Sequence, residues 1–241
     1  MARQWTSVRR WLIRSAAVGV IVASFGVTTR ASLVGGSEIQ QSSRLIDVVA
    51  GLSFGCALSN DGSVHCWGYQ RDGRLGTGEP GTDIKVPDLP APVPISTDAT
   101  LTAMVGRSWI TCAFAVSGDV LCWGLGEHGR LGNGSGESRP IPTRVVTPHP
   151  FKTVSVGSRH SCGVTEAGIA HCWGSNDSGE VGGTASRPVV LPREVPALRG
   201  ISAIAAGGTE AGNGFTCALA TGRLVCWGAN NHGQKVEWNP H

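Results

Sequence analysis

The tripeptide Cys-Trp-Gly occurs four times in this 241-residue chain, and this repetition restricts the possible fold more than any other feature. The copies begin at Cys66, Cys122, Cys172 and Cys226, so the tryptophans are 56, 50 and 54 residues apart. Each copy is preceded by an alternating apolar stretch that contains a second cysteine. A period of about fifty residues indicates one supersecondary unit per copy, with neighbouring units sharing a core.

Two further marks recur in the same order in the first three copies. A glycine-rich turn follows Cys-Trp-Gly, and Pro-x-x-Val then precedes the next copy. The proline-rich stretch 80–94 has the composition of a linker between two domains, but Pro-x-x-Val recurs elsewhere, so we interpret it as a long connection between repeats. The turns are Gly73–Gly78, Gly129–Gly134 and Gly179–Gly183, and the Pro-x-x-Val marks are Pro90–Val93, Pro142–Val145 and Pro192–Val195.

The cysteine spacing predicts four hairpins in which two cysteines face each other. In the first, the loop Asn60-Asp61-Gly62 sets Ser59 opposite Ser63, and counting outward sets Cys56 opposite Cys66. The fourth pair is one residue closer, but its loop, Thr221-Gly222, is also one residue shorter, so the pairing is kept. The pairs are Cys56 with Cys66, Cys112 with Cys122, Cys162 with Cys172, and Cys217 with Cys226.

In this register each cysteine pair is a non-hydrogen-bonded pair, whose Cα atoms approach to about 4.5 Å. We therefore expect four disulfides, each contributing on the order of 2–3 kcal/mol. Eight reduced cysteines buried in the core are the alternative. A zinc site is disfavoured because no two cysteines stand two to four residues apart.

The N-terminus predicts export. Arginines precede the apolar run 16–27, and Thr29-Arg30-Ala31 offers the small residues of a cleavage site, so we expect a signal peptide over residues 1–31 and a repeat domain over 32–241. A retained anchor is the alternative, although about a dozen apolar residues are short for a bilayer. Arg9-Arg10 suggests the twin-arginine route. The expected location is secreted or periplasmic, with no stable membrane anchor after cleavage.

Net charge and motifs exclude several classes of function. The formal charge of +3 becomes about −2 without residues 1–31, which hold five arginines and no acid, so we expect no nucleic-acid partner. The sequence has no nucleophile elbow, phosphate-binding glycine loop or zinc-protease helix. His65, His128, His171 and His232 occupy exchangeable positions of the repeat. We therefore expect no enzyme activity, cofactor or metal.

The order of the motifs resembles the repeat of the regulator of chromosome condensation family, and the resemblance extends over most of residues 46–234. We interpret the chain as an exported, disulfide-containing bacterial member. The resemblance implies an all-β fold, a β-propeller of about four blades in an open or incomplete ring, since the family usually has seven. The copies depart from the family at the histidine before the first cysteine, which only His160 retains, and the last copy breaks off after Gln234.

Blades of this kind leave rim loops free for binding, so the favoured function is a protein–protein interaction module. The four repeated tryptophans are expected in the core, whereas Tyr69, Trp109 and Trp238 fall outside the repeat and favour a contact surface. Guanine nucleotide exchange, the activity of the nuclear family member, and glycan binding at Trp109 are the alternatives. The candidate binding residues are Tyr69, Arg71, Asp72, Trp109, Glu127, His128, Asn176, Asp177, Asn231 and His232.

The fourth copy also predicts how the ends of the fold behave. After Gly233 the glycine-rich turn is replaced by Gln234-Lys235-Val236. An open arc of four blades leaves an apolar blade face uncovered at each end. We therefore expect either self-association through these ends or a chain shortened from a longer ancestor.

Overall fold

A computed structural model describes residues 43–79, 88–184, 187–196 and 198–238. These residues form four antiparallel sheets of four strands, and each sheet is one blade whose strands follow chain order from one edge to the other. The predicted signal peptide lies outside the described residues. Within the described residues, no helix is long and apolar enough to cross a membrane.

The strands divide evenly among the blades. Blade 1 holds β1 (Leu45–Gly51), β2 (Phe54–Ser59), β3 (Val64–Gly68) and β4 (Leu89–Pro94). Blade 2 holds β5 (Leu101–Arg107), β6 (Ile110–Ala115), β7 (Val120–Gly124) and β8 (Arg139–Arg144). Blade 3 holds β9 (Phe151–Val156), β10 (His160–Thr165), β11 (Ala170–Gly174) and β12 (Val189–Glu194). Blade 4 holds β13 (Ile201–Thr209), β14 (Gly212–Ala220), β15 (Arg223–Gly228) and β16 (Glu237–Trp238).

The second and third strands of every blade form the predicted disulfide hairpin. In blade 1 the loop turns at Gly62, whose φ of +84° lies in the left-handed region that glycine adopts without strain. All four cysteine pairs are cross-strand partners. All four are disulfides, with Cα atoms 4.0–4.1 Å apart, somewhat closer than the 4.5 Å expected for such a pair.

The second half of the proline-rich stretch 80–94 is the outer strand β4, so its interpretation as a connection between repeats was wrong there, and residues 80–87 lie outside the described residues. β4, β8 and β12 each pair with the third strand of their own blade. Backbone hydrogen bonds make Ile95, Val145 and Val195 equivalent, so the first mark is Pro92–Ile95, two residues later than Pro90–Val93. Proline suits an outer edge because it donates no hydrogen bond to a further strand.

The blades follow one another in an open arc. First strands contact each other, β1 with β5, β5 with β9 and β9 with β13, so they lie nearest the axis of the arc. Among the described residues, packing joins consecutive blades and does not close the first onto the fourth. The prediction of a four-bladed, open β-propeller is confirmed.

Apolar side chains between blades form the three cores. We call the side of a blade that faces the preceding blade its leading face, and the opposite side its trailing face. Leu75, Leu131 and Val181 are fully buried on trailing faces. Trp123 and Trp173 are fully buried on the facing leading sides, as predicted for all four repeated tryptophans, whereas Trp67 and Trp227 are only partly buried.

Two inter-blade hydrogen bonds fix the register of neighbouring blades. The indole Nε1 of Trp173 donates to the carbonyl oxygen of Arg130 at 2.9 Å. The Nε1 of Trp227 donates to the carbonyl oxygen of Glu180, also at 2.9 Å. These two tryptophans therefore bind the glycine-rich turn of the preceding blade, whereas the buried Nε1 of Trp123 has no hydrogen-bond partner among the described residues.

Candidate binding surface on the upper rim

All ten candidate binding residues lie on one rim of the arc. Antiparallel strands place the turn between strands one and two on the same edge as the loop after strand three, and we call this edge the upper rim. Backbone bonds tie each loop to a turn, for example from Tyr69 N to Ser53 O at 2.8 Å. The turns are 52–53, 108–109, 157–159 and 210–211, and the loops are 69–78, 125–134, 175–184 and 229–234.

A buried arginine organises the rim between blades 1 and 2. The guanidinium carbon of Arg74 lies 4.1 Å from the ring centroid of Trp109 and 4.8 Å from that of Tyr69. Its Nη2 donates to the Asp72 carboxylate at 2.8 Å, and its Nε to the Arg71 carbonyl at 2.7 Å. Three predicted residues, Tyr69, Asp72 and Trp109, are therefore brought together around a fourth that was not predicted.

The same loop presents Arg71 to solvent. Its side chain is more than half exposed, and its Nε lies 3.9 Å from the Asp72 carboxylate. Asp72 has a φ of +61°, a left-handed conformation that is uncommon for a residue with a side chain. The bonds that Asp72 makes to Arg74 hold it there, so the loop keeps Arg71 and Tyr69 in fixed positions.

A second buried arginine joins three blades. The side chain of Arg130, in blade 2, is almost fully buried, and its Nη1 donates to the Ser158 carbonyl of blade 3 at 2.5 Å. The same nitrogen lies 3.2 Å from the carboxylate of Glu210, in the first turn of blade 4. Burial lowers the pKa of Arg130, and the Glu210 carboxylate opposes that effect by stabilising the charged form.

Arg159 lies between the loops of blades 2 and 3. Its Nη2 is 2.6 Å from Nε2 of His128, and its Nη1 is 3.4 Å from the Asp177 carboxylate. Burial lowers the pKa of His128, and the charges of Arg159 and Arg130 lower it further. A neutral His128 can accept a hydrogen bond from Arg159, whereas a protonated one would repel it. Two predicted residues, His128 and Asp177, thus meet through an arginine.

The blade 3 loop replaces the buried arginine with a buried acid. Glu180 accepts hydrogen bonds from Ser175 Oγ at 2.6 Å and from the Ser178 backbone N–H at 2.7 Å. Asn176 is also buried: its amide nitrogen donates to the Thr184 carbonyl, and its oxygen accepts from the Val181 backbone. Asn176 therefore shapes the loop and offers a partner no exposed surface, unlike the other candidates.

Of the remaining candidates, Glu127 contacts one of these clusters through its backbone, and Asn231 and His232 lie apart from them. Glu127 is exposed, and its carbonyl oxygen accepts from Arg130 Nε at 3.1 Å. Asn231 donates to the side chain of Asn213 at 2.7 Å, and His232 is exposed beside Gln234. Trp238 lies on β16 and is well exposed. The upper rim loop of blade 4 therefore offers polar side chains but no tyrosine, tryptophan or phenylalanine.

Sequence reasoning missed the arginines that connect the candidates. Arg74 and Arg130 occupy one position of the glycine-rich turn, directly before the buried leucine, and this repeated charge in an apolar motif was the available signal. The contacts of Arg159 and Glu210 gave no such signal, because their partners lie in other blades at sequence separations of 31 and 80.

The described residues contain no cluster of three His, Cys, Asp or Glu side chains able to hold a metal, and all eight cysteines are in disulfides. A cavity of about 260 Å³ opens on the opposite rim, lined by His149, His171, Glu166 and Glu194 among others. His171 packs there against Phe151, so the histidine belongs to the packing at the edge of the core between blades 2 and 3.

The geometry defines a class of protein: an open arc of β-propeller blades that carries an ordered, charged and aromatic rim. Comparison with known proteins specifies the repeat. Two family profiles described as the regulator of chromosome condensation (RCC1) repeat match, one at residues 117–164 and the other at residues 45–74 and 151–180.

Relatives and solved structures agree with these matches. The human E3 ubiquitin-protein ligase HERC2 is 30% identical over 82% of this chain, and the ultraviolet-B receptor UVR8 of Arabidopsis thaliana is 29% identical over 79%. The chain spans 4% and 42% of these relatives. Human WBSCR16 shares the fold with a TM-score of 0.67 at 17% identity, covering 84% of this chain and 54% of its own.

Prp20p of Saccharomyces cerevisiae, a yeast RCC1, has a TM-score of 0.63 at 22% identity, covering 77% of this chain and 45% of its own. This chain therefore contains RCC1 repeats, and the matched residues lie in blades 1 to 3.

Proposed function

We propose that the protein is an exported module that binds a protein partner through the upper rim of blades 1 and 2. The observation that supports this most is the Arg74 cluster, in which Tyr69 and Trp109 stack on a buried guanidinium and Arg71 extends from the same loop. Tyrosine, tryptophan and arginine are enriched among the few residues that supply most of the binding energy at protein interfaces. Their fixed positions reduce the entropy lost on binding.

The fold of similar proteins supports binding as the general role. Prp20p is described by its binding to Gsp1p and histones, and by its complex with Kap60. At 20–22% identity these structures share only the fold with this chain, so they do not identify its partner. The four disulfides support the proposed signal peptide over residues 1–31, since disulfides persist in oxidising compartments outside the cytosol.

A protein partner fits Trp109 better than a glycan does. Sugar rings stack on an open aromatic face, but the Arg74 guanidinium already covers one face of Trp109 at 4.1 Å. The indole nitrogen is also buried and has no hydrogen-bond partner among the residues that the structure describes. Tyr69 and Arg71 remain accessible around this ring, which is the arrangement of a protein contact with a rigid aromatic base.

Two matched arginines test the proposal. Arg71 and Arg199 have equally exposed side chains and each pairs with a carboxylate, but only Arg71 lies on the upper rim. The oxidised chain from Ser32 onward is used to capture partners from the extracellular or periplasmic fraction, and captured proteins are identified by mass spectrometry. Tyr69→Ala and Arg71→Ala are expected to reduce capture of a partner at least tenfold, while Arg199→Ala leaves it unchanged.

Equal capture by all three variants would contradict a rim interface. A glycan array probed in parallel, with the wild type and Trp109→Ala, distinguishes the lectin alternative. Glycan binding that depends on Trp109 would replace the proposed function with carbohydrate recognition.

A further inference from the structure

The leading face of blade 1 carries apolar residues at the same register positions as the buried leading faces, but nothing in the described chain covers it. Strand register makes Leu45 equivalent to Leu101, Phe151 and Ile201, because each faces the corresponding residue of the second strand. The latter three are 1–5% exposed, whereas Leu45 is 64% exposed. Val48 is likewise 66% exposed, while its equivalents Met104 and Val154 are buried.

The trailing face of blade 4 is the matching half of the same interface. Leu219 is 43% exposed, whereas the equivalent residues of blades 1 and 3, Leu58 and Val164, are fully buried under the next blade. Leu224 is also partly exposed, where its equivalent Val64 is buried. Within the part of the chain that the structure describes, each copy therefore carries one uncovered leading face and one uncovered trailing face.

We propose that these two faces bind each other between two copies of the chain, so that two open arcs form one ring of eight blades. Three interfaces within the chain already join a trailing face to a leading face of this composition. A second copy supplies the missing half at both ends, and its contacts differ in kind from the internal ones at Lys235. Eight blades lie within the natural range of propellers, and a closed symmetric dimer leaves no face uncovered.

One substitution at the trailing face fits this partner. The buried position of Leu75, Leu131 and Val181 is held in blade 4 by Lys235, which is exposed. In the internal cores the side chain at this position packs with the tryptophan of the next blade, as Leu75 does with Trp123. The equivalent tryptophan of the second copy is Trp67, whose partly exposed ring can receive a lysine ammonium.

The internal interfaces also predict which atoms meet between copies. The ideal Cβ position at Gly106 lies 3.2 Å from Cβ of Val49 in the preceding blade. Ala50 is the equivalent of Gly106 on the open leading face, and Ala205 is the equivalent of Val49 in blade 4. Both alanines are exposed, so Ala50 of one copy should approach Ala205 of the other.

Light scattering and cross-linking test the proposal on the oxidised chain from Ser32 onward, between about 1 and 100 µM. We expect twice the mass of one chain at the upper concentrations. Val48→Asp should weaken the association at least a hundredfold, because it places a charge in the interface. Val116→Asp is the matched control, since Val116 is 69% exposed on the hairpin loop of blade 2, away from both ends.

A chain with both Ala50→Cys and Ala205→Cys should form a disulfide-linked dimer, identified by peptide mapping, while each single variant should not form that link. The mapped link keeps the test valid even where Val48→Asp disturbs folding. A monomer at every concentration would overturn the proposal. A dimer that Val48→Asp leaves intact and that forms no link between residues 50 and 205 would also overturn it.

Discussion

Blades 1 and 2 begin with strands of the same pattern but different surroundings. Leu45 and Leu101 hold the same register position at the start of β1 and β5, yet Leu101 is buried under blade 1 and Leu45 faces solvent. The apolar face therefore belongs to the repeat itself, while its burial depends on the neighbouring blade. The three covered leading faces therefore stabilise the arc, whereas the open leading face of blade 1 is available for assembly.

The comparison predicts that the same leucine-to-alanine substitution lowers the free energy of unfolding by different amounts at two equivalent sites. Leu101→Ala should lower the free energy of unfolding by about 3 kcal/mol, because it removes buried apolar surface and leaves a cavity between blades 1 and 2. Leu45→Ala should change it by less than about 0.5 kcal/mol, since its side chain is already in water. Urea unfolding, monitored by tryptophan fluorescence at concentrations where the chain is monomeric, measures both values. Equal losses would mean that the two faces are equally covered.

The pH dependence of stability distinguishes the interface between blades 3 and 4 from the other two. His160 is fully buried, its Nε2 lies 2.8 Å from Thr216 Oγ1 of blade 4, and burial lowers its pKa to about 4. In the unfolded chain the pKa returns to about 6.5, so the unfolded state binds the additional proton between these values. Stability is therefore complete above pH 6.5 and decreases as the pH falls towards 4.

At pH 5 the contribution of His160 should make the folded state about 2 kcal/mol less stable than at pH 7.5. His160→Phe is the matched variant, because phenylalanine holds this position in blades 1 and 4, as Phe54 and Phe215. Urea unfolding at the two pH values should show that the variant loses most of this difference. An unchanged pH dependence in the variant would place the titrating group elsewhere.

The disulfide of blade 4 should be reduced at a different rate from the disulfides of blades 1 to 3. Cys217 is partly exposed on the uncovered face of blade 4, whereas both cysteines of the other three disulfides are fully buried. A small thiol should therefore reduce Cys217–Cys226 at least tenfold faster than Cys112–Cys122, because access to the sulfur limits the attack. Alkylation followed by peptide mapping at early times measures the order. Simultaneous reduction of all four would show that global unfolding controls access.

Local pairing rules were sufficient to predict the disulfide hairpins. The loop lengths at Asn60–Gly62 and Thr221–Gly222 determine which residues face each other, so the sequence alone predicted all four cysteine pairs. The outer strands were misinterpreted because prolines at 92, 142 and 192 are typical of connections, and only pairing with the third strand shows them to be edges.

The binding surface was predictable in part, for a physical reason. Loop positions identified Tyr69, Asp72, His128 and Asp177, and Trp109 was identified as an aromatic residue outside the repeat. The contacts among these residues pass through Arg74 and Arg159. These contacts depend on the angle between blades, which no local pattern encodes. Asn176 shows the opposite error: a polar loop residue next to exposed ones proved to be buried, because its amide satisfies backbone groups of its own loop.

Hydrogen exchange of β1 and β5, followed by mass spectrometry at two protein concentrations, tests the difference between the two faces most directly. In dilute solution, where the chain is monomeric, amides of β1 should exchange faster than those of β5, because only β5 is covered on its leading side. At high concentration β1 and β14 should become protected while β5 remains unchanged. Slow exchange of β1 in the dilute monomer, equal to that of β5, would contradict the account.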